Sequence, residues 1–243
     1  MKLLIQGLSF SYAHRTILKD LTMKMSDGEF VTILGPSGVG KSTILNILSG
    51  MLKPDRGSIF MDQERITGVT PHFAYMPQDD LLFPWKTVLD NVCLYGAIHK
   101  TKSLQRAEAI RLLPDFGLSG YEHAYPDELS GGMRQRAAFL RTVLCRSEIL
   151  LLDEPFGALD VITRGEMQDW LLTMQKRLNQ TILLVTHDID EAIYLSDRIL
   201  ILNGTPASIT RELVIEKEER TREWLYGQGP LRMQIHNLIR EVN

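Results

Sequence analysis

Short apolar runs separated by Gly, Pro and Asp residues dominate the first 76 positions of the chain. Runs of this length, bounded by turn residues, are typical of β-strands. The predicted strands are 2–5, 21–25, 30–34, 57–61 and 73–77. Between the third and the fourth, the segment from Ser42 to Gly50 predicts one helix that ends at its glycine. The pattern indicates a mixed sheet with a crossover helix.

Strand signals are missing from position 79 to position 147, where helical periodicity takes over. The predicted helices are 86–98, 103–113 and 131–145. Strand signals return at 148–153, 181–186 and 198–202, and helical segments at 162–178 and 189–195 alternate with them. A nearly continuous apolar run such as 148–153 is typical of a strand that is buried on both faces of a parallel sheet. The order of elements predicts an α/β core interrupted by a helical subdomain.

The end of the chain carries apolar residues at helical spacing, which are Ile235, Leu238, Ile239 and Val242. We expect a terminal helix that docks on the core. The predicted division is an α/β core at 1–77 and 148–205, a helical subdomain at 78–147, and a C-terminal extension at 206–243 that packs on the core.

Charge and hydropathy narrow the classes of function. The 243 residues carry a formal net charge of -3, and the basic residues are dispersed, which argues against a nucleic-acid partner. No apolar stretch approaches the length of about eighteen residues that a membrane span needs. If the protein serves a membrane, we expect it to act from outside the bilayer.

A phosphate loop links the third predicted strand to the first helix. The segment matches the pattern G-x-x-x-x-G-K-[ST] and consists of Gly35, Pro36, Ser37, Gly38, Val39, Gly40, Lys41, Ser42 and Thr43. Its glycines let backbone N–H groups surround phosphates, Lys41 supplies a positive charge, and the Ser42 hydroxyl can reach Mg²⁺. The spacing does not fit a dinucleotide-binding fingerprint.

Two acidic residues follow the buried strand at 148–153. Asp153 and Glu154 lie where that strand ends, on the usual ligand side of an open α/β sheet. Asp153 is placed to hold Mg²⁺ through its water shell. Glu154 would face a water molecule that attacks the γ-phosphate, and would accept its proton or orient it for in-line attack. Without the phosphate loop, an Asp-Glu pair here would indicate a helix cap.

A second glycine-rich site precedes the helix at 131–145. Ser130, Gly131 and Gly132 begin an amphipathic segment, so exposed N–H groups at the helix tip favour an anion. The phosphate loop lies far earlier in the chain. The sequence therefore raises the question of which phosphate this second site serves.

Together these motifs resemble the ATP-binding subunit of an ABC transporter. The segment 129–133 resembles the signature motif, 156–160 the D-loop, Gln78 the Q-loop glutamine, His187 the switch histidine, and Tyr12 the aromatic residue that stacks on adenine. The resemblance implies an α/β P-loop NTPase core, a mixed sheet with flanking helices, together with an inserted α-helical subdomain and a short antiparallel β region. It implies an ATPase that uses ATP and Mg²⁺.

The same resemblance assigns roles and partners. Gln78 would contact Mg²⁺ or the attacking water, His187 would hydrogen-bond the γ-phosphate, and Asp160 would reach the partner subunit. Two copies would form a head-to-tail homodimer, in which Ser130, Gly131 and Gly132 meet the nucleotide that Lys41 of the other copy holds. Membrane permease subunits and a solute-binding protein would complete an importer, with this chain peripheral on the cytoplasmic face of the inner membrane.

One departure from the usual signature motif points to a branch of the family. The signature motif commonly ends in Gln, whereas this chain has Met133. The segments 81–92 and 129–142 are similar to importers of nitrate, sulfonate and taurine, a group that includes thiamine-precursor uptake systems. Phe83 to Trp85 offer apolar groups that could receive a permease helix or could anchor a loop.

Three other classes of function fit the sequence less well. A soluble ABC-type ATPase acting on ribosomes or DNA would carry two cassettes or a coiled coil at the insertion. A kinase or GTPase would have no use for the signature motif or His187. A non-catalytic binding module would leave the acidic and histidine residues idle.

Overall fold

The computed structural model describes residues 1–157, 159–216 and 220–240. Its strands are β1 (Leu3–Tyr12), β2 (Arg15–Met25), β3 (Phe30–Leu34), β4 (Arg56–Met61), β5 (Glu64–Ile66), β6 (Phe73–Met76), β7 (Ile149–Asp153), β8 (Thr181–Thr186), β9 (Arg198–Asn203) and β10 (Ser208–Val214). Its helices are α1 (Lys41–Leu48), α2 (Val88–Val92), α3 (Leu94–Ile98), α4 (Lys102–Leu112), α5 (Gly131–Val143), α6 (Val161–Leu178), α7 (Ile189–Leu195), α8 (Arg222–Tyr226) and α9 (Gly229–Arg240).

The strands form two sheets. One sheet is antiparallel, in the order β2-β1-β4-β5, and the other has the order β10-β9-β3-β8-β7-β6. In the larger sheet β9, β3, β8, β7 and β6 are parallel, and β10 pairs antiparallel with β9. Every residue of β3, β7, β8 and β9 is buried, which fits their predominantly apolar sequences.

Alternate residues of the buried strands face two different cores. On β7, Ile149 and Leu151 pack with α1 and the antiparallel sheet, whereas Leu150 and Leu152 pack with helices of the insertion and with α6 and α7. Helix α1 is therefore held between the two sheets. Parallel strands end at one edge of a sheet, which brings the residues after β3, β6, β7 and β8 together.

The fold class predicted from the sequence is confirmed, with corrections in detail. Residues 1–76 contribute to two sheets instead of one mixed sheet, because β1, β2, β4 and β5 pair antiparallel while β3 and β6 join the parallel sheet. The helix predicted at 86–98 is two short helices, since Cys93 leaves helical geometry at φ -90° and ψ 15°.

The C-terminal part of the chain contains one strand that the sequence did not predict. Strand β10 lies beyond residue 205, within the range assigned to the extension, and extends the core sheet. The terminal helix α9 does pack on the core: Ile235 is fully buried and the Asn203 amide donates to the carbonyl oxygen of Ile239 at 2.5 Å. Val242, the last residue of the predicted stripe, lies outside the described residues. The division into domains stays a prediction.

Candidate functional site

The phosphate loop leaves β3 and enters α1 in a tight turn. Gly40 has a φ of 114°, and a Cβ there would lie 2.8 Å from Cγ2 of Ile17 on β2. A Cβ on Gly35 would lie 2.3 Å from the carbonyl oxygen of Leu202 on β9. These contacts explain why glycine is needed at both positions. Helix α1 begins without a side-chain cap, so its first N–H groups remain available to an anion.

Lys41 lies beneath this loop and is 5% exposed. Its Nζ donates to the carbonyl oxygens of Gly35 and Pro36, both at 2.9 Å, and lies 3.8 Å from Oε1 of Glu154. Burial lowers the pKa of Lys41, while the charges of Glu154 and Asp153 oppose that shift. The loop thus holds an ammonium group in a partly dehydrated place, where its attraction for phosphate is strong.

Asp153 ends β7 with its carboxylate almost fully buried. The Ser42 hydroxyl donates to Oδ1 at 3.1 Å, and the Tyr75 hydroxyl donates to Oδ2 at 3.2 Å. Burial raises the pKa of Asp153, and these two hydrogen bonds act in the opposite direction. The neighbouring hydroxyl and carboxylate oxygens form the hard donor set that Mg²⁺ prefers when phosphates supply further ligands.

Glu154 lies next to this pair in an unusual backbone conformation. Its φ is 46°, a left-handed value, and its N–H donates to the carbonyl oxygen of Val185 at 2.9 Å. Its Oε1 is 3.1 Å from Nδ1 of His187, which follows β8. Glu154 therefore lies between the Lys41 ammonium and the His187 ring.

The turn that carries His187 is supported from below by Glu191. The Thr186 hydroxyl donates to Oε2 of Glu191 at 2.7 Å and accepts from the N–H of Asp188 at 3.0 Å. Asp188 caps α7, since its Oδ1 accepts from the N–H groups of Asp190 and Glu191. Burial raises the pKa of Glu191 to about 7.

Two other sequence-predicted residues lie at the rim of the site. Tyr12 ends β1 opposite Arg15, is exposed, and meets Phe10 edge to face at 4.8 Å between ring centroids. A cleft of about 250 Å³ adjoins this hairpin and is lined by residues of 15–17, 36–39 and 203–206. Gln78 is exposed two residues after β6, at the sheet edge where Asp153 ends β7.

The second glycine-rich site is the first turn of α5. Ser130 caps this helix by accepting from the N–H of Met133 at 3.2 Å, and both Ser130 and Gly131 are exposed. A Cβ on Gly132 would lie 3.3 Å from Cδ2 of Leu159. Among the hydrogen bonds and ion pairs of the described residues, none joins this tip to the phosphate loop. No such contact therefore joins the two predicted anion sites of one chain.

Asp160 precedes α6 and caps it. Its Oδ1 accepts from the N–H groups of Ile162 and Thr163, both at 3.1 Å, and hydrogen bonds from Thr163 lower its pKa. The rest of its carboxylate is exposed to solvent.

Sequence reasoning missed three residues that organise the site. Tyr75 holds Asp153, Glu191 supports the His187 turn, and the buried Gln135 donates to the carbonyl oxygen of Pro155 at 3.1 Å, which ties α5 to the segment after Glu154. A signal existed for two of them. Tyr75 alternates with apolar residues on β6, and Glu191 follows His187 by one helical turn.

The chain is similar in sequence to proteins that have been described before. A family model described as ABC transporter matches residues 18–157. An aliphatic sulfonates import ATP-binding protein from Rhodococcus jostii is 47% identical over 86% of this chain and 81% of its own length. A formylaminopyrimidine import ATP-binding protein from Halalkalibacterium halodurans is 40% identical over 98% of this chain and 96% of its own length.

The fold also matches solved structures. A dimeric ATP-binding cassette in a post-hydrolysis state, bound to ADP and Pi, superimposes with a TM-score of 0.77 at 27% identity, over 88% of this chain and 99% of that one. Along the described part of the chain, no helix has the length and apolar character of a membrane span.

Proposed function

This chain belongs to the ABC transporter family, and from that premise we propose that it hydrolyses ATP to drive solute import through a separate membrane permease. The observation that carries the proposal is the grouping of Lys41, Ser42, Asp153, Glu154 and His187 at one edge of the parallel sheet. A phosphate-binding ammonium, a hydroxyl–carboxylate pair and a base-like carboxylate are the parts that phosphoryl transfer to water requires.

Binding of the nucleotide falls to the loop and its rim. The N–H groups of residues 35–43 and the Lys41 ammonium surround the phosphates, and Lys41 exchanges the carbonyl oxygens of Gly35 and Pro36 for phosphate oxygens. Tyr12, exposed at the end of β1, offers its ring to the adenine.

Ser42, Asp153 and Gln78 would hold Mg²⁺. When bound, this ion neutralises charge on the β- and γ-phosphate oxygens. Asp153 is prepared for that role because Ser42 and Tyr75 fix both of its carboxylate oxygens. Gln78 lies two residues after the strand that carries Tyr75.

Hydrolysis would use Glu154 as the base. A water molecule attacks the γ-phosphorus, its proton passes to the Glu154 carboxylate, and ADP leaves as the bond from the γ-phosphorus to the bridging oxygen breaks. His187, whose Nδ1 lies 3.1 Å from Oε1 of Glu154, would orient that carboxylate and would hydrogen-bond the γ-phosphate through its other ring nitrogen. Asp188 and Glu191 hold the turn in place.

The active unit would be a head-to-tail homodimer. In the described part of the chain, no hydrogen bond or ion pair joins the tip at Ser130, Gly131 and Gly132 to the phosphate loop, and a second copy would supply one. ATP would then lie between Lys41 of one copy and Ser130 of the other, with Asp160 reaching across. A solved relative that superimposes on this chain is itself dimeric.

The permease would dock beside Gln78. Phe83 and Trp85 stack at 5.2 Å between ring centroids, and Trp85 is 70% exposed, so an apolar surface is available next to the active site. The chain would lie on the cytoplasmic face of the membrane as a peripheral subunit, and a solute-binding protein would choose the solute. Sedimentation of the chain with native membranes, and its release when the permease is deleted, measures this association.

Replacement of Glu154 by Gln tests the catalytic assignment. We expect steady-state ATP hydrolysis to fall by about 10²- to 10⁴-fold, because the base is lost while the phosphate loop is intact. Equilibrium binding of ATP should stay near that of the unaltered protein. The matched control is Glu166→Gln, an exposed glutamate on α6. Robust turnover in Glu154→Gln would refute the assignment of the base.

A further inference from the structure

Arg164 lies between two functional segments of the same chain. It is in the first turn of α6, where its N–H donates to the carbonyl oxygen of Asp160 at 2.8 Å and its Nη2 donates to that of Leu159 at 3.3 Å. Its Nη1 lies 3.7 Å from Oδ2 of Asp188, the residue after His187. One guanidinium thus contacts the turn before α6 and the turn before α7.

The Asp188 end of this contact reaches the reacting groups. Asp188 follows His187 directly, and its other carboxylate oxygen is already committed to the cap of α7. A shift of Asp188 would therefore turn α7 and move the His187 ring. That ring lies 3.1 Å from Oε1 of Glu154, so its position bears on the orientation of the base.

The Leu159 end reaches the second anion site. Leu159 packs against Gly132, where a Cβ would lie 3.3 Å away, and its carbonyl oxygen accepts from Arg164. The same turn ends at Asp160, which is exposed. A movement of the segment around Leu159 would therefore shift the carbonyl oxygen that accepts from the Arg164 guanidinium.

The bonding of Arg164 is incomplete for a purely structural arginine. Its Nε is buried and has no hydrogen-bond partner among the described residues, and its Nη1 is farther from Asp188 than a hydrogen bond allows. Leaving a buried donor unsatisfied is costly. Arg222 on α8 differs: its Nη1 and Nη2 donate to Gln168, Gly165 and Asp169, and its guanidinium stacks over the ring of Tyr194.

We propose that Arg164 is a positioning residue that couples the segment Leu159–Asp160 to His187. The inference rests on the proposed function, in which Asp160 serves the site of the partner copy while His187 serves the site of its own chain. Arg164 then joins the two composite sites of the dimer. When the partner draws Asp160 across, the guanidinium closes on Asp188 and sets His187 over Glu154.

Replacement of Arg164 by Gln is the test, with ATP hydrolysis measured as a function of ATP concentration. We expect kcat to fall about tenfold and the Hill coefficient to approach 1, because the two sites lose their connection. The ATP Kd of the protein and its Tm should stay unchanged. Arg164→Lys, which keeps a positive charge within reach of Asp188, should recover part of the cooperativity.

The control is Arg222→Gln, which removes an arginine that binds the same helix through Gly165, Gln168 and Asp169 and makes no hydrogen bond to Leu159 or Asp188. It should leave kcat and the Hill coefficient unchanged. In a double-mutant cycle, Asp188→Asn keeps a capping side chain but removes the charge. Because the two residues act through one contact, the double variant should be no slower than Arg164→Gln alone.

Several outcomes would overturn the inference. They are an unchanged kcat and Hill coefficient in Arg164→Gln, an additive loss in the double variant, a fall of Tm that accounts for the lost turnover, or a Hill coefficient of 1 in the unaltered protein. None of these touches the proposed function, which fails separately if the unaltered protein does not hydrolyse ATP or if Glu154→Gln does.

Discussion

The two glycine-rich segments for which the sequence predicts anion sites are built to different degrees. At the phosphate loop, Lys41 contacts Glu154, which follows β7, and Ser42 contacts Asp153, which ends it. His187, which follows β8, completes the group. At the tip of α5, the Ser130 hydroxyl caps its own helix, and Ser130 and Gly131 face solvent. The first site assembles when the sheet folds, because its parts share one sheet edge.

The second site has no such edge to complete it. Gly132 of this segment lies against the turn around Leu159, which offers an apolar side chain and no group that binds phosphate. A segment can therefore be fully folded and still supply only half of a binding site. The remaining half would have to come from a second copy of the chain.

The largest expected effect is on the rate of ATP hydrolysis by dimers of defined composition, which tests whether the two segments form one shared site. We expect dimers that pair a Ser130→Arg copy with a Lys41→Ala copy to hydrolyse ATP at a substantial fraction of the normal rate, because one composite site is whole. Dimers that carry both lesions on one copy beside an unaltered copy have no whole site, and should be about 10²-fold slower. Two affinity tags, one on each copy, isolate both kinds of dimer for the measurement.

A higher rate in the dimers that carry both lesions on one copy than in the mixed dimers would contradict the shared site. In that case Ser130 would act within its own chain, and the two glycine-rich sites would be parts of one. Each single variant as a homodimer serves as the inactive control.

A smaller effect, on stability, is expected at Glu191, which supports the turn that carries His187. Burial raises the pKa of Glu191 from 4.5 to about 7, so the folded chain holds this proton more tightly than the unfolded chain. Stability therefore falls as the pH rises from 4.5 to 7, and the cost of burying the charge is complete above that range. Glu191→Gln should raise the free energy of unfolding at about pH 8 by up to roughly 3 kcal/mol.

Denaturant unfolding of the unaltered protein and of Glu191→Gln, at about pH 4 and about pH 8, measures this gain in the free energy of unfolding. The gain should vanish at the lower pH, where the glutamate is protonated in both states. Glu166→Gln, on the exposed face of α6, should give no gain at either pH. An equal gain at both pH values would show that packing, and not charge, limits stability beneath His187.

The smallest effect concerns the tip of α5. Ser130→Ala should lower the free energy of unfolding by about 1 kcal/mol, because the N–H of Met133 loses its acceptor. Ser130→Asp should restore that stability, since aspartate is a good cap. It should nevertheless weaken ATP-dependent dimerisation, because a negative charge then faces the phosphate of the other copy. Denaturant unfolding and light scattering with ATP measure the two properties.

Strong dimers of Ser130→Asp in ATP would refute an anion at this tip. A stability of Ser130→Asp below that of Ser130→Ala would refute the role of the cap. The two readings separate folding from recognition at a single residue.

The sequence predicted β7 and β8 well because both are uninterrupted apolar runs that can be buried on two faces. It also predicted the loop at 35–43 and the two acidic residues after β7, since each requires specific residue types at fixed spacing. The grouping of these residues follows from parallel strands that end at one edge. Their chemical roles rest on that grouping and on the family resemblance.

Other features depend on partners that no local pattern reveals. Strand β10 is an edge strand with exposed Arg211 and Glu212, so it lacks the apolar signal of the inner strands. The hydrogen bond from Tyr75 to Asp153 joins neighbouring strands that are far apart in sequence. The incomplete bonding of Arg164 depends on the distance between two helix starts, which the sequence leaves undetermined.

The left-handed backbone of Glu154 has a consequence for how this protein can evolve. A φ of 46° disfavours most side chains, and glycine or asparagine would adopt it more easily than glutamate. Neither replacement could serve as the base that Glu154 is proposed to be. Selection for thermal stability and selection for turnover therefore favour different residues at this one position, and a lineage released from transport would be free to lose its glutamate there first.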